Sequence, residues 1–325
     1  MLSVVIPVFN AEDTIERCIK SIQLQPLFDI EIIVIDDAST DHTSDVCSKI
    51  IKKDKRVKYY SFTKNSGVSA ARNEGVRRSN GEWIMFVDAD DRLCENALDD
   101  FSDNDWADLI IYDFCFCKDP EVEQMKTLPL PESKLTSKDI PELLHLCAYH
   151  SGFHVKDWNI GAGAPWGKIY KKSILTDNSF LFNETLKRGE DVLFNLNVYS
   201  VCEEILYKSK SLYIYCLDDS SSSSSYHSDA DLQASITFSE FKKMISGRVI
   251  FSNLLKDIDY MGIQLDIFAI KNKFLIEKNY NSLRRFLVDT EVGRCLSWKN
   301  LVRFNFYFFC WIFFIKLNLY YLLNS

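Results

Sequence analysis

Two clusters of carboxylates in the first hundred residues each follow a short apolar run. Asp36 and Asp37 form the first cluster, and Asp88, Asp90 and Asp91 form the second. Carboxylates that lie close together repel one another unless a cation or hydrogen-bond donors offset their charge. A hard divalent ion with oxygen ligands, Mg²⁺ or Mn²⁺, is the simplest compensation, and it would also hold a diphosphate. The alternative is that these aspartates only cap helices or form turns.

Other phosphate-binding motifs are missing from the sequence. The first apolar run is followed by neither a GxGxxG motif nor a GxxxxGK[ST] motif. A nucleotidyltransferase would share an α/β sheet and a metal-binding aspartate. It should also carry a Gly-rich loop with a basic residue after the first strand, where this chain has Pro7-Val8-Phe9-Asn10. The sequence therefore argues against that class of enzyme.

The spacing of apolar residues predicts the elements that position these carboxylates. Four strands are predicted, namely Leu2–Phe9, Ile30–Ile35, Val57–Phe62 and Trp83–Val87, and the apolar runs of the first two predict strands buried in a parallel sheet. Helices are predicted between them: the first is capped by Asn10, the second is opened by Asp41 or Thr43, and the third, Val68–Ser79, is stopped by Asn80-Gly81 in the left-handed region. Strands alternating with helices predict a doubly wound α/β sheet, in which ligands bind at the carboxyl ends of the strands.

Composition sets broad limits on the class of protein. The 325 residues are 47% hydrophobic and 26% charged, which is typical of a globular chain that buries a core. A formal net charge of -8 argues against a general attraction to nucleic acid. The ten cysteines are scattered without CxxC pairs, which indicates free thiols in a reducing compartment. The N-terminus lacks the basic region of a signal peptide, so we expect a cytoplasmic protein.

Four ordered sequence blocks carry a family resemblance. They read SVVIPVFN at 3–10, VIDDASTD at 34–41, NSGVSAARN at 65–73 and GEWIMFVDADD at 81–91. In this order and spacing they resemble the catalytic half of family 2 glycosyltransferases of the GT-A fold. The resemblance implies a doubly wound mixed sheet flanked by helices. It also implies transfer of a sugar from a nucleotide-sugar donor, with UDP as the expected nucleotide.

The resemblance implies roles for individual residues of the donor site. Pro7 and the backbone around Val8 would border the nucleobase pocket, and Asp37 would hydrogen-bond the base. Arg72 matches the arginine of the family's Ala-Arg-Asn motif, on a helix aimed at the donor site. It would orient Asp88 or touch phosphate, and a structural salt bridge is the alternative.

The resemblance places the metal site on the Asp88-Ala89-Asp90 segment. Asp90 would be the direct ligand of Mg²⁺ or Mn²⁺ and would hold the ion between the two donor phosphates. Asp88 would meet the ribose region of the donor and contribute to the metal site. Ala89 would line the donor site between them.

A thinner match continues in the second half of the chain. APWGKIY at 164–170 resembles the Trp-x-Lys-x-Tyr segment that often precedes the acceptor site, which makes Trp166 and Lys168 candidate donor-site residues.

GEDVLF at 189–194 resembles the Gly-Glu-Asp-x-x-Phe block, whose aspartate serves as catalytic base. Asp191 would deprotonate the acceptor hydroxyl in an inverting transfer, with Glu190 orienting it. Taken alone, this pair would be an ordinary helix N-terminus. A non-enzymatic nucleotide-sugar sensor could lose this base. The presence of Asp191 therefore distinguishes a glycosyltransferase from such a sensor.

We expect three regions along the chain. Residues 1–118 would form the nucleotide-sugar-binding half and 119–230 the acceptor and catalytic-base half of one GT-A domain, followed by a helical region at 231–325. The serine run Ser220–Ser225 predicts either a lid or a plain linker.

The aromatic segment Leu301–Leu323 predicts a helix that lies in a membrane interface or docks on the core. Its uninterrupted apolar stretch, Phe306–Ile315, is ten residues long, whereas a spanning helix needs about twenty. An interfacial helix would give the protein a peripheral contact with the inner face of the cytoplasmic membrane. The acceptor would then be a lipid-linked oligosaccharide or another glycan.

Overall fold

The apolar runs of the first hundred residues form the parallel part of a mixed sheet. β1 (Leu2–Val8) and β2 (Ile30–Asp36) are buried along their whole length, as expected of parallel strands that are covered on both faces. With β3 (Val57–Ser61) and β4 (Trp83–Phe86) they form a parallel group in the order β3-β2-β1-β4. This arrangement confirms the predicted α/β fold class.

The sheet continues beyond β4 with strands of both directions. They are β5 (Arg92–Leu93), β6 (Leu109–Lys118), β7 (Glu121–Met125), β8 (Ser133–Thr136), β9 (Lys168–Lys171) and β10 (Glu204–Cys216). The order after β4 is β9-β6-β10-β5, with β7 paired to β6 and β8 paired to β10. β9 is antiparallel to both β4 and β6, whereas β10 is parallel to β6. The resulting sheet is mixed.

The computed structural model describes residues 1–26, 29–101, 106–118, 121–149, 160–216, 228–255, 258–269, 273, 277 and 280–291. The chain divides into two compact units, Met1–Asp219 and Ser220–Ser325. The helices of the first unit are α1 (Ile15–Gln23), α2 (Thr43–Lys53), α3 (Val68–Arg78), α4 (Ile140–Tyr149), α5 (Ile160–Gly163), α6 (Lys172–Asp177) and α7 (Glu190–Tyr199).

The parallel register brings the two acidic clusters to the same edge of the sheet. Val8 pairs with Asp36 in the β1–β2 ladder, and Val5 pairs with Phe86 in the β1–β4 ladder. The Asp37 N–H also donates to the Val8 carbonyl (2.8 Å). The carboxylates that follow β2 and β4 therefore leave the sheet at its carboxyl edge, as predicted from the parallel fold.

The prediction that Asn10 caps the first helix is wrong. Asn10 has a φ of 49°, and α1 begins at Ile15 with Thr14 as its N-cap. The Asn10 side chain instead accepts a hydrogen bond from the Thr40 N–H (2.8 Å). It therefore joins the loop after β1 to the loop after β2. The second helix begins at Thr43, whose N–H is accepted by Asp41 (3.0 Å), as predicted.

The predicted left-handed stop at Asn80-Gly81 is also wrong. α3 ends at Arg78, and Ser79 is extended with φ −69° and ψ 142°. Neither Asn80 nor Gly81 has a positive φ. A Cβ atom at Gly81 would lie 2.6 Å from the Ser3 hydroxyl, so glycine is required here for close packing against β1.

The second unit is helical where it is described. It contains α8 (Ala230–Ile245), a 3₁₀ turn at Val249–Phe251, α9 (Ser252–Leu255), α10 (Ile258–Ala269) and α11 (Tyr280–Asp289). Within the part of the chain that the structure describes, no helix has the length and apolar character that a membrane span requires. The aromatic segment at 301–323 and the serine run at 220–225 lie outside the described residues.

Candidate active site

The loop after β4 carries three aspartates in different surroundings. The Asp88 side chain is 26% exposed, and its backbone N–H donates to the Tyr213 hydroxyl (3.1 Å). Asp90 is exposed, and its carbonyl accepts a hydrogen bond from the Arg17 guanidinium (2.5 Å). Asp91 is 1% exposed. A ligand can therefore reach Asp88 and Asp90, whereas Asp91 belongs to the interior.

Asp91 anchors this loop to the end of β10. One carboxylate oxygen accepts the Tyr213 hydroxyl (2.6 Å), and the other accepts the Cys216 N–H (2.7 Å). Burial raises the pKa of the Asp91 carboxyl well above its usual range, and the charges of Asp90 and Asp88 raise it further. Asp91 was predicted only as a member of the acidic cluster, and its anchoring contacts could not be foreseen, because its partners lie 122 and 125 residues further along the chain.

Arg72, on α3, joins Asp88 to Asp191. Its Nη2 donates to Asp88 Oδ1 (2.9 Å), and its Nη1 donates to Asp191 Oδ1 (2.6 Å). The arginine is 4% exposed, and its Cζ lies 5.2 Å from the centroid of the Phe182 ring. The structural salt bridge that was one of the alternatives for Arg72 is therefore present on both sides of the guanidinium.

The neighbouring Asn73 fixes the segment that leads into α7. Its side chain accepts the Phe182 N–H (2.8 Å) and donates to the Phe182 carbonyl (3.0 Å) and to Glu184 (2.9 Å). The Phe182 ring stacks on Phe194 of α7 at a centroid distance of 4.0 Å. Sequence reasoning assigned no role to Asn73, although its place in the Ala-Arg-Asn motif was an available signal.

Glu190 and Asp191 begin α7 directly after Gly189, whose φ of 78° is a conformation that favours glycine. Glu190 is 8% exposed, whereas the Asp191 side chain is 31% exposed. Burial raises the pKa of Glu190 to about 7, and the neighbouring Asp191 charge adds to this effect. Burial also raises the pKa of Asp191, against the opposing influence of Arg72. Asp191 is thus the more accessible member of the pair.

The loops after β1 and β2 form the predicted nucleobase side of the site. Asp37 accepts the two N–H groups of the turn that opens α3 (2.6 and 2.8 Å), so its carboxylate already shapes this turn. Pro7 and Val8 are buried in β1. The next residue, Phe9, is 48% exposed, which makes its ring a further candidate for contact with a base. Phe9 was not among the residues predicted for the site, although an aromatic residue directly beyond a buried strand was a usable signal.

Trp166 and Lys168 are enclosed by the fold. Trp166 stacks on Tyr213 with ring centroids 4.9 Å apart. The Lys168 amine donates to the carbonyls of Ala164 (2.5 Å) and Gly161, and the side chain has no exposed surface. Burial lowers the pKa of Lys168 to about 7. In this structure neither side chain offers surface to a donor, so the geometry favours a structural role for both and their donor contacts stay a prediction.

Replacing Lys168 with methionine separates these two roles. We expect the free energy of unfolding to fall by about 1–3 kcal/mol, because two buried carbonyls lose their donor, while the affinity for UDP stays unchanged. Chemical denaturation and titration calorimetry measure the two quantities. Lys64→Met, at an exposed position, is the control. A variant that keeps its stability and loses UDP affinity would show that Lys168 contacts the donor.

The accessible pair Asp88 and Asp90, separated by the buried Ala89, offers only oxygen donors. Mg²⁺ and Mn²⁺ take such donors, and Mg²⁺ in particular completes its shell with water and substrate phosphates. Among the described residues, no group of three or more His, Cys, Asp or Glu side chains forms a complete metal site. The oxygen donors of Asp88 and Asp90 fit a hard divalent cation that would take its remaining ligands from water or a bound phosphate.

The sequence blocks and the fold agree with one family. The model of Glycosyl transferase family 2 matches residues 3–177, which are more than half of the chain. The chain therefore belongs to glycosyl transferase family 2.

A poly(ribitol-phosphate) beta-glucosyltransferase of Bacillus spizizenii is 30% identical over 222 residues, covering 66% of this chain and 32% of that protein. The chain spans between 30% and 60% of the length of the first three curated relatives that it matches.

Two solved structures share the fold. TarS 1-349 of S. aureus in complex with UDP-GlcNAc has a TM-score of 0.64 at 23% identity, covering 91% of this chain and 82% of that one. The mannosyltransferase PcManGT from Pyrobaculum calidifontis, in complex with GDP-Man and Mn²⁺, has a TM-score of 0.55 at 16% identity. It covers 83% of this chain and 72% of that one. These likenesses confirm the predicted GT-A type of mixed α/β fold.

Proposed function

We propose that this protein transfers a sugar from a UDP-sugar to a hydroxyl of a glycan or lipid-linked oligosaccharide, with inversion at the anomeric carbon. The observation that carries the proposal is the meeting of Asp88 and Asp191, which are distant in sequence, on the two sides of the Arg72 guanidinium. UDP-GlcNAc bound by TarS supports the choice of nucleotide. The name of the poly(ribitol-phosphate) relative supports a polymeric acceptor.

Asp191 is the proposed general base. Inverting transfer needs a group that takes the proton of the acceptor hydroxyl while its oxygen attacks the anomeric carbon, opposite the leaving nucleotide diphosphate. The partly exposed Asp191 carboxylate can accept this proton, and its raised pKa makes it a stronger base than an ordinary aspartate. The buried Glu190 is less accessible to an acceptor than Asp191, and its proposed role is to orient Asp191.

The donor half of the site holds the nucleotide and its diphosphate. The exposed ring of Phe9 would contact the nucleobase beside the β1 backbone, and the buried Asp37 would border the base from the turn that its carboxylate holds. Asp90, with Asp88, would hold Mg²⁺ or Mn²⁺, which offsets the charge that develops on the leaving diphosphate. The Mn²⁺ bound with GDP-Man in PcManGT supports this assignment.

We also propose where in the cell the protein acts. A lipid-linked acceptor lies at the membrane, so the protein would work at the inner face of the cytoplasmic membrane. The aromatic residues of the 301–325 segment would supply its contact with the lipid. Flotation of the full chain with liposomes tests this contact. A chain that stays at the bottom of the gradient would remove it from the proposal.

A donor panel tests the proposed function directly. UDP-sugars, GDP-mannose and other nucleotide sugars are incubated with and without Mn²⁺, and nucleotide release is measured. We expect UDP to be released from a UDP-sugar. This release should require the cation and should increase when an acceptor is added. Binding of UDP without release from any donor would instead indicate a nucleotide-sugar-binding protein that is not an enzyme, whereas a lack of all nucleotide binding would contradict both functions.

A further inference from the structure

Arg72 lies between two carboxylates that come from different parts of the fold. Asp88 follows β4, and Asp191 opens α7, 119 residues beyond the arginine. We propose that Arg72 is a positioning residue, which holds the Asp191 carboxylate in place relative to Asp88 and does not itself bind the donor diphosphate. This inference rests on the proposed function, because it assigns the residue that sets the geometry of the base.

The environment of the guanidinium favours this role over phosphate binding. Its two terminal nitrogens each donate to a carboxylate, and the arginine has almost no exposed surface. The Phe182 ring packs beside it. The Arg72 Nε finds no hydrogen-bond acceptor among the described residues, but it is buried and therefore does not face the cleft. A group that served the diphosphate would need an open donor facing the cleft, and Arg72 directs both of its engaged donors at protein carboxylates.

The next residue supports the base from a second direction. Asn73 fixes the Phe182 backbone with two hydrogen bonds and reaches Glu184 with a third contact. Phe182 in turn stacks on Phe194 of α7. One turn of α3 therefore holds both the carboxylate of Asp191 and the segment before its helix, so a shift of this turn would move the base relative to the donor loop.

Arginine suits this position because its planar guanidinium can serve two carboxylates at once. Lysine has one compact ammonium on a flexible stem and cannot reproduce this fork. Arg72→Lys keeps the charge, but its single ammonium cannot hold the Asp191 carboxylate in the position relative to Asp88 that the guanidinium fixes. Because misplacing a reacting group by about 1 Å can lower the rate about 10²-fold, we expect a fall of that size in kcat, with unchanged affinity for UDP.

The test compares Arg72→Lys, Asp191→Asn and the double variant. Measured quantities are kcat and acceptor KM from product formation, UDP affinity from calorimetry, and the melting temperature. Arg77→Lys on the same helix, where the arginine is exposed and bonds to Glu74, is the matched control. If Arg72 acts through the base, the lysine substitution lowers kcat strongly in the wild type and very little in the Asp191→Asn background.

Two results would overturn the inference. A loss of UDP affinity in Arg72→Lys at unchanged melting temperature would make the arginine a donor ligand. Equal losses of kcat with and without the Asp191 carboxylate would show that Arg72 does not act through it. If the lysine variant does not fold, Arg72→Gln, which removes the buried charge and keeps a planar donor, is measured in the same way. A wild-type protein that binds UDP and transfers no sugar would refute the proposed function before any variant is compared.

Discussion

Replacing Asp191 with asparagine should lower turnover by about 10²- to 10⁴-fold, the usual contribution of general acid–base catalysis. The amide has nearly the size of the carboxylate and can still accept a hydrogen bond from Arg72. It cannot take the proton of the acceptor hydroxyl. UDP affinity should stay near the wild-type value, because Asp191 lies on the far side of the guanidinium from Asp88. Product formation and UDP calorimetry measure the two effects.

Glu190→Gln is the matched control for this substitution. Glu190 is adjacent in sequence but buried, so its amide variant should retain far more activity than Asp191→Asn. If turnover and UDP affinity fell together in Asp191→Asn, Asp191 would be a donor-site residue. If Glu190→Gln were the inactive variant and Asp191→Asn the active one, the base would be assigned to the wrong carboxylate.

The pH dependence of the rate is a second test of Asp191 as the general base. The pKa of Asp191 is raised by burial, and that of Glu190 is raised to about 7. A base must be deprotonated, so the wild-type kcat/KM should be low at acidic pH and rise as the pH passes through the apparent pKa of this pair. The pH at which this rise occurs should lie above the pKa range of an ordinary carboxyl. Asp191→Asn should lose most of it.

The central sheet could be predicted because its pattern is local. Strands such as Leu2–Val8 and Ile30–Asp36 are short runs rich in valine and isoleucine and are buried along their whole length, as is typical of parallel strands that are covered on both faces. The glycine at 81 shows where local reasoning stops. Its type suggested a left-handed helix stop, whereas the structure uses it to let the backbone approach Ser3, a neighbour that no local pattern specifies.

The candidate site divides in the same way. The aspartates at 88 and 90 could be placed because they follow a predicted strand. Asp91 has the same residue type in the same loop, yet its carboxylate is engaged by Tyr213 and Cys216. Lys168 matched a family motif, but its amine is satisfied by buried carbonyls. Which polar groups face the cleft depends on contacts between distant segments, and residue type and spacing do not encode those contacts.

Replacing Asp90 with alanine should abolish sugar transfer and leave the fold intact. Asp90 is exposed, and its charge contributes to the raised pKa of Asp91, so removing it relieves repulsion within the acidic cluster. UDP binding should also lose its dependence on Mn²⁺, because the proposed direct ligand is gone. Calorimetry with UDP in the presence of Mn²⁺ or EDTA measures this loss separately from activity, and a thermal melt checks the fold.

Asp91→Ala is the contrasting variant, because it removes the acceptor of the Tyr213 hydroxyl and the Cys216 N–H inside the fold. Leaving buried donors unsatisfied costs about 1–3 kcal/mol each, so this variant should melt well below the wild type, whereas Asp90→Ala should not. An Asp90→Ala protein that transfers sugar at the wild-type rate in EDTA would eliminate the cation from the proposed mechanism. One that is inactive but still shows Mn²⁺-dependent UDP binding would move the direct ligand from Asp90 to Asp88.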